Sequence, residues 1–385
     1  MIERDIELNF RHRVLFTRSA FDRANADLVD LLNDGSTRPV RVMFVVDGHV
    51  AEKRPGLEKA ITSYFESHSD KLKLAGPILS IPGGESCKND FSLVQGLWKE
   101  INDVSLDRHS YVVAIGGGAV LDLVGFAAAT AHRGVRHLRF PTTTLSQGDG
   151  GVGVKNGVNY FGKKNWVGSF SVPHAVVNDF DFLDTLSEVD RRAGLIEAIK
   201  VALIRDADFF SWIAEHTSEL ASLDTSAIEY AIEKSAELHV EHIATSGDPF
   251  ELGSARPLDF GHWVAHKLEQ LSNFRIGHGE AVAIGMAVDL LYSAEVGILD
   301  PEICDRILWV IRGIGFPVAA PELFENGKET DLAILDGLEE FREHLGGELT
   351  ITLVPEIGQK LEVNTMDHDA LRIALAALKV ADERS

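Results

Sequence analysis

Cysteine is scarce in this chain of 385 residues, in which Cys87 and Cys304 are the only two. Two cysteines cannot form the disulfide framework of a small secreted domain, and their spacing excludes a zinc ribbon. They are typical of buried thiols in a reducing compartment. The chain also lacks any apolar run of about 18 residues, as a membrane-spanning helix needs, and its acidic start lacks the apolar segment of a secretion signal. We therefore expect a cytoplasmic protein.

Basic residues are in deficit as well. Lys and Arg number 37 against 59 Asp and Glu, which gives a formal charge of −22 at pH 7. Such a charge repels nucleic acid and anionic membranes, so we expect neither as a partner. A small phosphorylated substrate remains compatible with this charge where basic side chains cluster locally.

The length and the pattern of the chain predict two domains. Hydrophobic residues make up 45% of the sequence, and one core rarely serves a chain of this length. In the first half, apolar β-branched runs alternate with helix-length segments, which indicates a mostly parallel sheet. The predicted strands are 40–47, 77–81, 111–115 and 137–140, and the predicted helices are 56–68 and 91–101.

From about residue 184 the apolar residues recur with the period of a helix. Helices are predicted over 188–204, 227–245, 258–270, 280–294 and 302–314. The expected fold class is therefore an α/β domain over residues 1–183, followed by an all-α domain over residues 184–385.

The helical half contains residue types that bind metal ions. Glu197 and Lys200 are three apart, so they share a helix face, and the apolar residues around them disfavour an ordinary surface ion pair. His262 and His266 are four apart, and His278 lies at the start of the next helix. Glu197, His262 and His278 could fill three positions around Zn²⁺ and leave a fourth open for substrate. The alternative is incidental scatter among fifteen histidines.

Two glycine-rich segments are candidate phosphate sites. The apolar run 111–115 breaks at three consecutive glycines before a helical pattern resumes, which would let a phosphate approach the backbone; a tight turn is the alternative. The segment 148–168 carries Lys155, Lys163 and Lys164 on a glycine-rich loop. Backbone amides and ammonium groups could cradle phosphate there, and a solvated surface loop is the alternative.

The motifs resemble those of dehydroquinate synthase, collinearly over about residues 40–300. The matching segments are GGGAVLDLVGF at 116–126, RG at 133–134, PTT at 141–143, KNGVN at 155–159, GKKN at 162–165, LIEAIK at 195–200 and HGEAVAIGM at 278–286. On these residues the chain is identified as a member of the sugar phosphate cyclase superfamily.

The resemblance implies a Rossmann-like NAD-binding α/β domain, a helical metal-binding domain and a homodimer. The positions that would hold NAD are Asp47, Glu85, Lys88, Gly116, Gly117, Gly118, Asp122, Thr142, Thr143, Lys164, Phe182 and Thr185. The positions that would act on the substrate are Asp149, Lys155, Asn165, Lys200, Asp259, His266 and Arg133, the last from the partner subunit. Glu197, His262 and His278 would bind Zn²⁺ or Co²⁺.

The chain departs from dehydroquinate synthases just before the first metal histidine. Where those enzymes carry Arg-x-x-x-Asn-Leu-Gly-His, this chain reads RPLDFGH at 256–262, so that Asp259 replaces the asparagine and Arg256 has moved by one place. His239 stands in for a lysine, and Arg342 is the nearest match to a lysine pair near the C-terminus. Holding a substrate carboxylate against Asp259 would cost about 2 to 5 kcal/mol.

These departures favour a neutral ketoheptose phosphate as the substrate. The segment around Asp259 is similar to cyclases of sedoheptulose 7-phosphate, including the EboD type, which make valiolone-type cyclitols. A carboxylate such as Asp259 accepts hydrogen bonds from polyol hydroxyls. The alternatives are a dehydroquinate synthase acting on 3-deoxy-arabino-heptulosonate 7-phosphate, a metal-dependent polyol dehydrogenase and a binding protein without activity.

Overall fold

The computed structural model describes residues 1–33, 35, 38–251, 257–325 and 332–382, except the side chains of 344 and 380–382. The chain divides into two compact units, Met1–Leu186 and Ser187–Ser385. The sequence predicts the change at 183/184. That point lies within a 3₁₀ helix, Phe180–Thr185, which follows strand Ala175–Asp179 and whose Phe182 packs in the core of the first unit.

The first unit contains a parallel sheet with helices on both faces. The strands of this unit are β1 Val14–Thr17, β2 Val40–Asp47, β3 Leu72–Leu74, β4 Leu79–Ile81, β5 Tyr111–Gly116, β6 Arg136–Pro141, β7 Lys155–Tyr160, β8 Lys163–Phe170 and β9 Ala175–Asp179. Strands β7 and β8 form a separate two-stranded sheet. The α-helices of this unit are α1 Asp27–Leu32, α2 Gly48–Lys53, α3 Leu57–Ser67, α4 Phe91–Asp103 and α5 Gly118–Thr130. The sheet order is β1-β9-β6-β5-β2-β3, with β4 also paired to β2.

Alternation along the central strands explains the three layers. On β2, Val42, Phe44 and Val46 face a core shared with α1 and α3. Met43 and Val45 face a second core shared with α4 and α5. Strands that are buried on both faces read as continuous apolar runs, which is why β2 and β5 were predictable from the sequence. The predicted α/β class is confirmed.

The segment predicted as a glycine-rich loop contains an antiparallel hairpin instead. Strands β7 and β8 pair from Lys155 with Phe170 to Tyr160 with Lys163. The two residues of the turn, Phe161 and Gly162, both have positive φ, 52° and 73°, as a tight hairpin turn requires. The prediction was wrong because backbone pairing forms this ribbon despite its glycine content. The short strands β1, β3 and β9 were also not predicted.

The second unit is mainly helical. Its elements are α6 Glu188–Ala193, α7 Leu195–Arg205, α8 Ala207–Glu215, α9 Thr217–Ala221, α10 Thr225–Thr245, α11 His262–Leu271, α12 His278–Glu295, α13 Pro301–Ile314, α14 Asp336–His344, α15 His368–Asp382 and a small hairpin of β10 Ile351–Leu353 with β11 Leu361–Val363. The helix predicted over 188–204 is two helices, because the chain is interrupted at Gly194. Among the described residues, no helix is both long enough and apolar enough to cross a bilayer.

Candidate active site

Three residues from separate helices form a metal-type cluster in the second unit. Glu197, His262 and His278 each offer one ligand atom, and these atoms all lie within 4.8 Å of one another. The His262 and His278 ring centroids are 5.5 Å apart. A carboxylate and two imidazoles at this separation fit a tetrahedral ion that keeps its fourth position open. The residues present therefore fit a zinc or cobalt ion.

Close backbone contacts bring the two histidines to Glu197. His262 is the first residue of α11, and Gly261 before it has a φ of 79° and lies so near α12 that a Cβ would come within 2.7 Å of the Met286 nitrogen. His278 is the first residue of α12, and a Cβ on Gly279 would come within 2.6 Å of the Ala193 carbonyl oxygen. Glycine at these two positions permits the approach.

Glu197 and Lys200 form a buried ion pair on α7. Each residue is 2% exposed, and Lys200 Nζ lies 2.5 Å from Glu197 Oε2. They are three positions apart along the helix, so both side chains lie on one face. The surface ion pair considered from the sequence is thus excluded by burial, and a positive charge stands beside the candidate metal ligands.

Hydrogen bonds orient both imidazole rings. His262 Nδ1 lies 3.1 Å from the Phe260 carbonyl oxygen, to which it donates. His278 Nδ1 lies 3.4 Å from Glu269 Oε2. Both contacts leave Nε2 as the ligand atom, an arrangement common around protein-bound metals. Burial, together with the positive charge of Lys200, holds the pKa of His262 well below its ordinary value, so the ring is neutral as a metal ligand must be.

His266 and Asp259 lie beside the cluster. The His266 and His262 ring centroids are 5.6 Å apart. Asp259 ends the 3₁₀ helix Pro257–Asp259 and lines a cavity of about 300 Å³ within the second unit. The other residues that line it are Arg205, His242, Thr245, Ser246, Asp248, Glu251, Pro257, Leu258 and Lys360. The sequence singled out none of these except Asp259.

The other three departures from the family pattern are His239, Arg342 and Arg256. His239 is buried on α10. Arg342 donates to Glu339 on its own helix and, at 2.9 Å, to the Gly347 carbonyl oxygen. Arg256 lies outside the described residues.

The first unit places predicted cofactor residues at the carboxyl ends of its strands. Asp47 ends β2, is 6% exposed and accepts a hydrogen bond from the His49 backbone at 2.9 Å. Gly116 ends β5, and helix α5 begins at Gly118 without a side-chain cap. Within the described part of the chain, a Cβ on Gly118 would meet nothing within 4 Å, and one on Gly117 would meet only Thr143 at 3.5 Å. The protein itself does not need glycine there, but a dinucleotide phosphate at the helix start does.

A buried lysine joins the predicted cofactor and substrate residues. Lys88 is 3% exposed, and its Nζ donates to Asp122 Oδ2 at 2.8 Å and to the Asn165 side-chain oxygen. Burial alone would lower the pKa of Lys88, but the charges of Asp122 and Glu85 outweigh it and raise the pKa. Asn159, which the sequence did not single out, donates to Glu85 at 2.9 Å and accepts from the Asn165 backbone at 2.8 Å.

The remaining predicted cofactor positions are spread over three segments. Thr142 and Thr143 follow β6, where Thr143 Oγ1 lies 2.8 Å from Ser146 Oγ. Lys164 is exposed on β8. Phe182 is fully buried, and the Thr185 hydroxyl donates to the Phe182 carbonyl at 2.8 Å. The Phe182 side chain therefore belongs to the core, which leaves its backbone for any ligand contact.

Arg139 organises the loop that carries Asp149 and Lys155. Asp149 lies in a π-helical turn, Ser146–Gly150, and Lys155 is the exposed first residue of β7. The Arg139 side chain is 0% exposed, and burial lowers its pKa to about 10. Its guanidinium donates to four oxygens at 2.7 to 3.0 Å, namely the carbonyls of Gly151, Gly153 and Lys155 and the side chain of Asn156. Sequence inspection missed Arg139.

Arg133 lies just beyond the carboxyl end of α5. It follows that helix in a turn where His132, Arg133 and Gly134 all have positive φ, 49°, 62° and 118°. Its side chain is exposed. An exposed position suits the prediction that Arg133 acts in a partner subunit, but it does not test that prediction.

Comparisons with known proteins agree with this architecture. The family model described as 3-dehydroquinate synthase N-terminal matches residues 78–193, and the C-terminal model of the same family matches residues 194–333. The chain is 37% identical to a 3-dehydroquinate synthase of Nitrosococcus oceani over 77% of this chain and 80% of that protein. It is 34% identical to a 2-epi-valiolone synthase of Actinosynnema mirum over 88% of this chain and 86% of that protein.

A solved structure resembles the whole chain. It is a 2-epi-5-epi-valiolone synthase from Streptomyces hygroscopicus with NAD⁺ and Zn²⁺ bound, which matches with a TM-score of 0.83 and 26% identity over 100% of both chains.

Proposed function

The chain belongs to the 3-dehydroquinate synthase family of sugar phosphate cyclases, and from this premise we propose that it converts sedoheptulose 7-phosphate to a valiolone-type cyclitol with release of phosphate. The reaction class is that of a carbon–oxygen lyase. The substrate is a neutral ketoheptose phosphate, whereas dehydroquinate synthases act on a heptulosonate phosphate, which carries an additional carboxylate.

The observation that carries this choice is the charge around Asp259. Asp259 stands three residues before the candidate metal ligand His262 and lines the cavity described above. Of the described residues that line the cavity, three are carboxylates and two are fixed cations, Arg205 and Lys360, so the lining carries a net charge of −1 (two positive minus three negative). A polyol end with hydroxyl donors suits this lining better than a second carboxylate does.

The same cavity supports a second candidate function. Arg205 and Lys360 could bind the carboxylate of 3-deoxy-arabino-heptulosonate 7-phosphate, in which case the enzyme is a 3-dehydroquinate synthase. However, Arg205 Nη1 lies 2.7 Å from His242 Nδ1, so part of its guanidinium is engaged within the protein. We therefore rank this function second.

We propose NAD and Zn²⁺ or Co²⁺ as the resident cofactors. The valiolone synthase of similar structure contains NAD⁺ and Zn²⁺, and the open start of α5 and the cluster of Glu197, His262 and His278 fit these groups. When bound, they supply a hydride acceptor that is regenerated in each turnover and a Lewis acid for a hydroxyl and the ketone derived from it.

The residues of the chain bind and orient the substrate. Lys200 keeps a buried positive charge next to Glu197, where it can stabilise negative charge that develops on substrate oxygen during the aldol step. Asp149, Lys155 and Asn165 bind the sugar, with Lys155 held at its carbonyl by Arg139. We assign phosphate binding to His266, together with Arg133 from a second copy of the chain.

The test is to incubate the purified protein with NAD⁺ and Zn²⁺ or Co²⁺ and each heptulose phosphate, and to measure phosphate release. We expect faster release from sedoheptulose 7-phosphate and no accumulation of NADH, because the hydride returns to the product. Faster release from the heptulosonate phosphate would reverse the ranking. NADH that accumulates with turnover would indicate a polyol dehydrogenase, and absence of both signals would leave a binding protein.

We further propose that the protein is a homodimer assembled through its β7–β8 hairpin. A two-stranded hairpin has little stability by itself, yet Tyr160, Phe161 and Trp166 on it are 42%, 79% and 56% exposed. The hairpin also carries Lys163 in a chain of charge −22, so an acidic surface of a second copy complements it. Light scattering should give twice the chain mass, and Phe161→Asp should give the monomer. A monomeric wild-type protein would refute the proposal.

A further inference from the structure

Glu269 contacts one ring nitrogen of His278, and the other ring nitrogen lies toward Glu197. Glu269 lies on α11, is 5% exposed, and its Oε2 is 3.4 Å from His278 Nδ1. An ionised carboxylate only accepts hydrogen bonds, so the proton of the neutral ring resides on Nδ1. The lone pair is then on Nε2, which is the ring atom that lies 3.7 Å from Glu197 Oε1.

A second buried acid accepts hydrogen bonds from the residues on either side of His262, from the backbone of Gly261 and from the side chain of Trp263. Asp289 on α12 is 0% exposed. Its Oδ2 accepts from the Gly261 backbone N–H at 3.0 Å, and its Oδ1 accepts from the Trp263 indole N–H at 2.8 Å. These donors belong to the residues immediately before and after His262, so Asp289 contacts the segment that carries this candidate ligand.

Glu269 and Asp289 are both buried acids, 5% and 0% exposed. A carboxyl group in the protein interior is costly even when it is hydrogen-bonded, and burial raises the pKa of Asp289 to about 7. Asp289 offsets part of that cost by accepting from the buried Gly261 and Trp263 N–H groups, which an apolar side chain would leave without an acceptor. Glu269 contacts the candidate ligand His278, and Asp289 contacts the two neighbours of the candidate ligand His262. These contacts point to a role in the geometry of the metal centre.

We propose that Glu269 and Asp289 are positioning residues of the metal centre, Glu269 by setting the tautomer and ring orientation of His278 and Asp289 by anchoring the segment that aims His262. The inference rests on the proposed ligation of the metal by Glu197, His262 and His278. Such outer partners typically change metal affinity by about 10- to 100-fold when they are removed.

The experiment measures Zn²⁺ affinity of the full chain by competition with a chromophoric chelator. Glu269→Gln, which keeps the shape but offers a weaker acceptor, should raise the Zn²⁺ Kd about 10-fold, and Glu269→Ala about 100-fold. Asp289→Asn should raise it by about 10-fold or more. The visible absorption of the Co²⁺-loaded protein should also change in the Glu269 variants, because the ligand field that His278 contributes at the metal ion changes.

Glu340→Gln is the matched control. Glu340 is an acid that pairs with Lys267 of α11 at 2.6 Å without contacting a candidate ligand, so its loss should leave the Zn²⁺ Kd within about 2-fold. If Asp289→Asn does not fold, Trp263→Phe removes one of the two donors to Asp289 and should raise the Kd more mildly.

Two patterns would overturn the proposal. Wild-type affinity and an unchanged Co²⁺ spectrum in both Glu269 variants, with binding abolished by His278→Ala, would refute the positioning role and leave the ligand set standing. Wild-type affinity in His278→Ala and Glu197→Gln as well would refute the ligand set itself, and the positioning role with it.

Discussion

Replacing Lys200 by Met should destabilise the metal-free protein strongly and the metal-loaded protein little. Lys200 Nζ and Glu197 Oε2 are 2.5 Å apart, and each residue is 2% exposed. At an effective dielectric constant of about 20, two unit charges at this distance attract by about 7 kcal/mol. Much of this attraction offsets the cost of desolvating the two charges. Removing one partner of a buried pair typically lowers the free energy of unfolding by about 3 to 5 kcal/mol, and we expect that loss for Lys200→Met.

Metal should restore most of that loss. In the metal-free protein the Lys200 ammonium group supplies the positive charge next to Glu197, and a bound divalent cation supplies it instead. At saturating Zn²⁺ we therefore expect Lys200→Met to lower the free energy of unfolding by less than about 2 kcal/mol. The Lys200→Met protein should also bind Zn²⁺ more tightly than the wild type, because a repelling charge is gone. The assay is urea-induced unfolding with EDTA or with Zn²⁺, followed by tryptophan fluorescence.

Lys267→Met is the control for this prediction. Lys267 pairs with Glu340 at 2.6 Å, but the Glu340 side chain is 47% exposed and can turn to water. Removal of the Lys267 charge should therefore lower the free energy of unfolding by less than about 1 kcal/mol, with or without metal. Equal losses for Lys200→Met in EDTA and in Zn²⁺ would refute the reasoning, since the pair would then be independent of the metal site.

Three further predictions concern Asp259, Arg139 and the two cysteines. Asp259→Asn should raise kcat/KM for the heptulosonate phosphate relative to sedoheptulose 7-phosphate by about 30-fold or more, equivalent to about 2 kcal/mol; an unchanged ratio in phosphate-release assays would contradict it. Arg139→Gln should lower kcat/KM about 100-fold through displacement of Lys155, with NAD⁺ affinity by fluorescence titration unchanged; loss of both would indicate general unfolding instead. Burial raises the pKa of Cys87 and Cys304 to about 12, so both remain protonated at pH 8. Ellman's reagent should then detect two thiols only after denaturation, and rapid labelling of the native protein would contradict it.

The parts of the fold that could be predicted are those with a strong local pattern. Strands β2 and β5 are buried on both faces and so read as apolar runs, and α13 shows the helical period with Pro301 at its first position and Gly315 after its end. The short strands β1 and β3 have three or four residues each, too few for a period to show. The β7–β8 hairpin was missed because its glycines suggested a loop.

The candidate site divides in the same way. Glu197 with Lys200 and His262 with His266 were predictable as pairs, because helical spacing places such residues on one face. Asp259 was recognisable because it departs from a known motif. Arg139, Glu269 and Asp289 carried no such signal. Asp289 is 28 residues from Gly261 and Arg139 is 16 residues from Lys155, and no periodicity relates residues so far apart.

The sequence by itself determined the two kinds of domain, the family and the chemical types of the ligands, since these depend on composition, local period and motifs. Only the tertiary structure decided which atoms meet. Contact between α11 and α12 depends on Gly261, and contact of α12 with α6 depends on Gly279, where any Cβ would collide with a backbone. Those contacts set the distances among Glu197, His262 and His278, and distance governs both ligation and charge interaction.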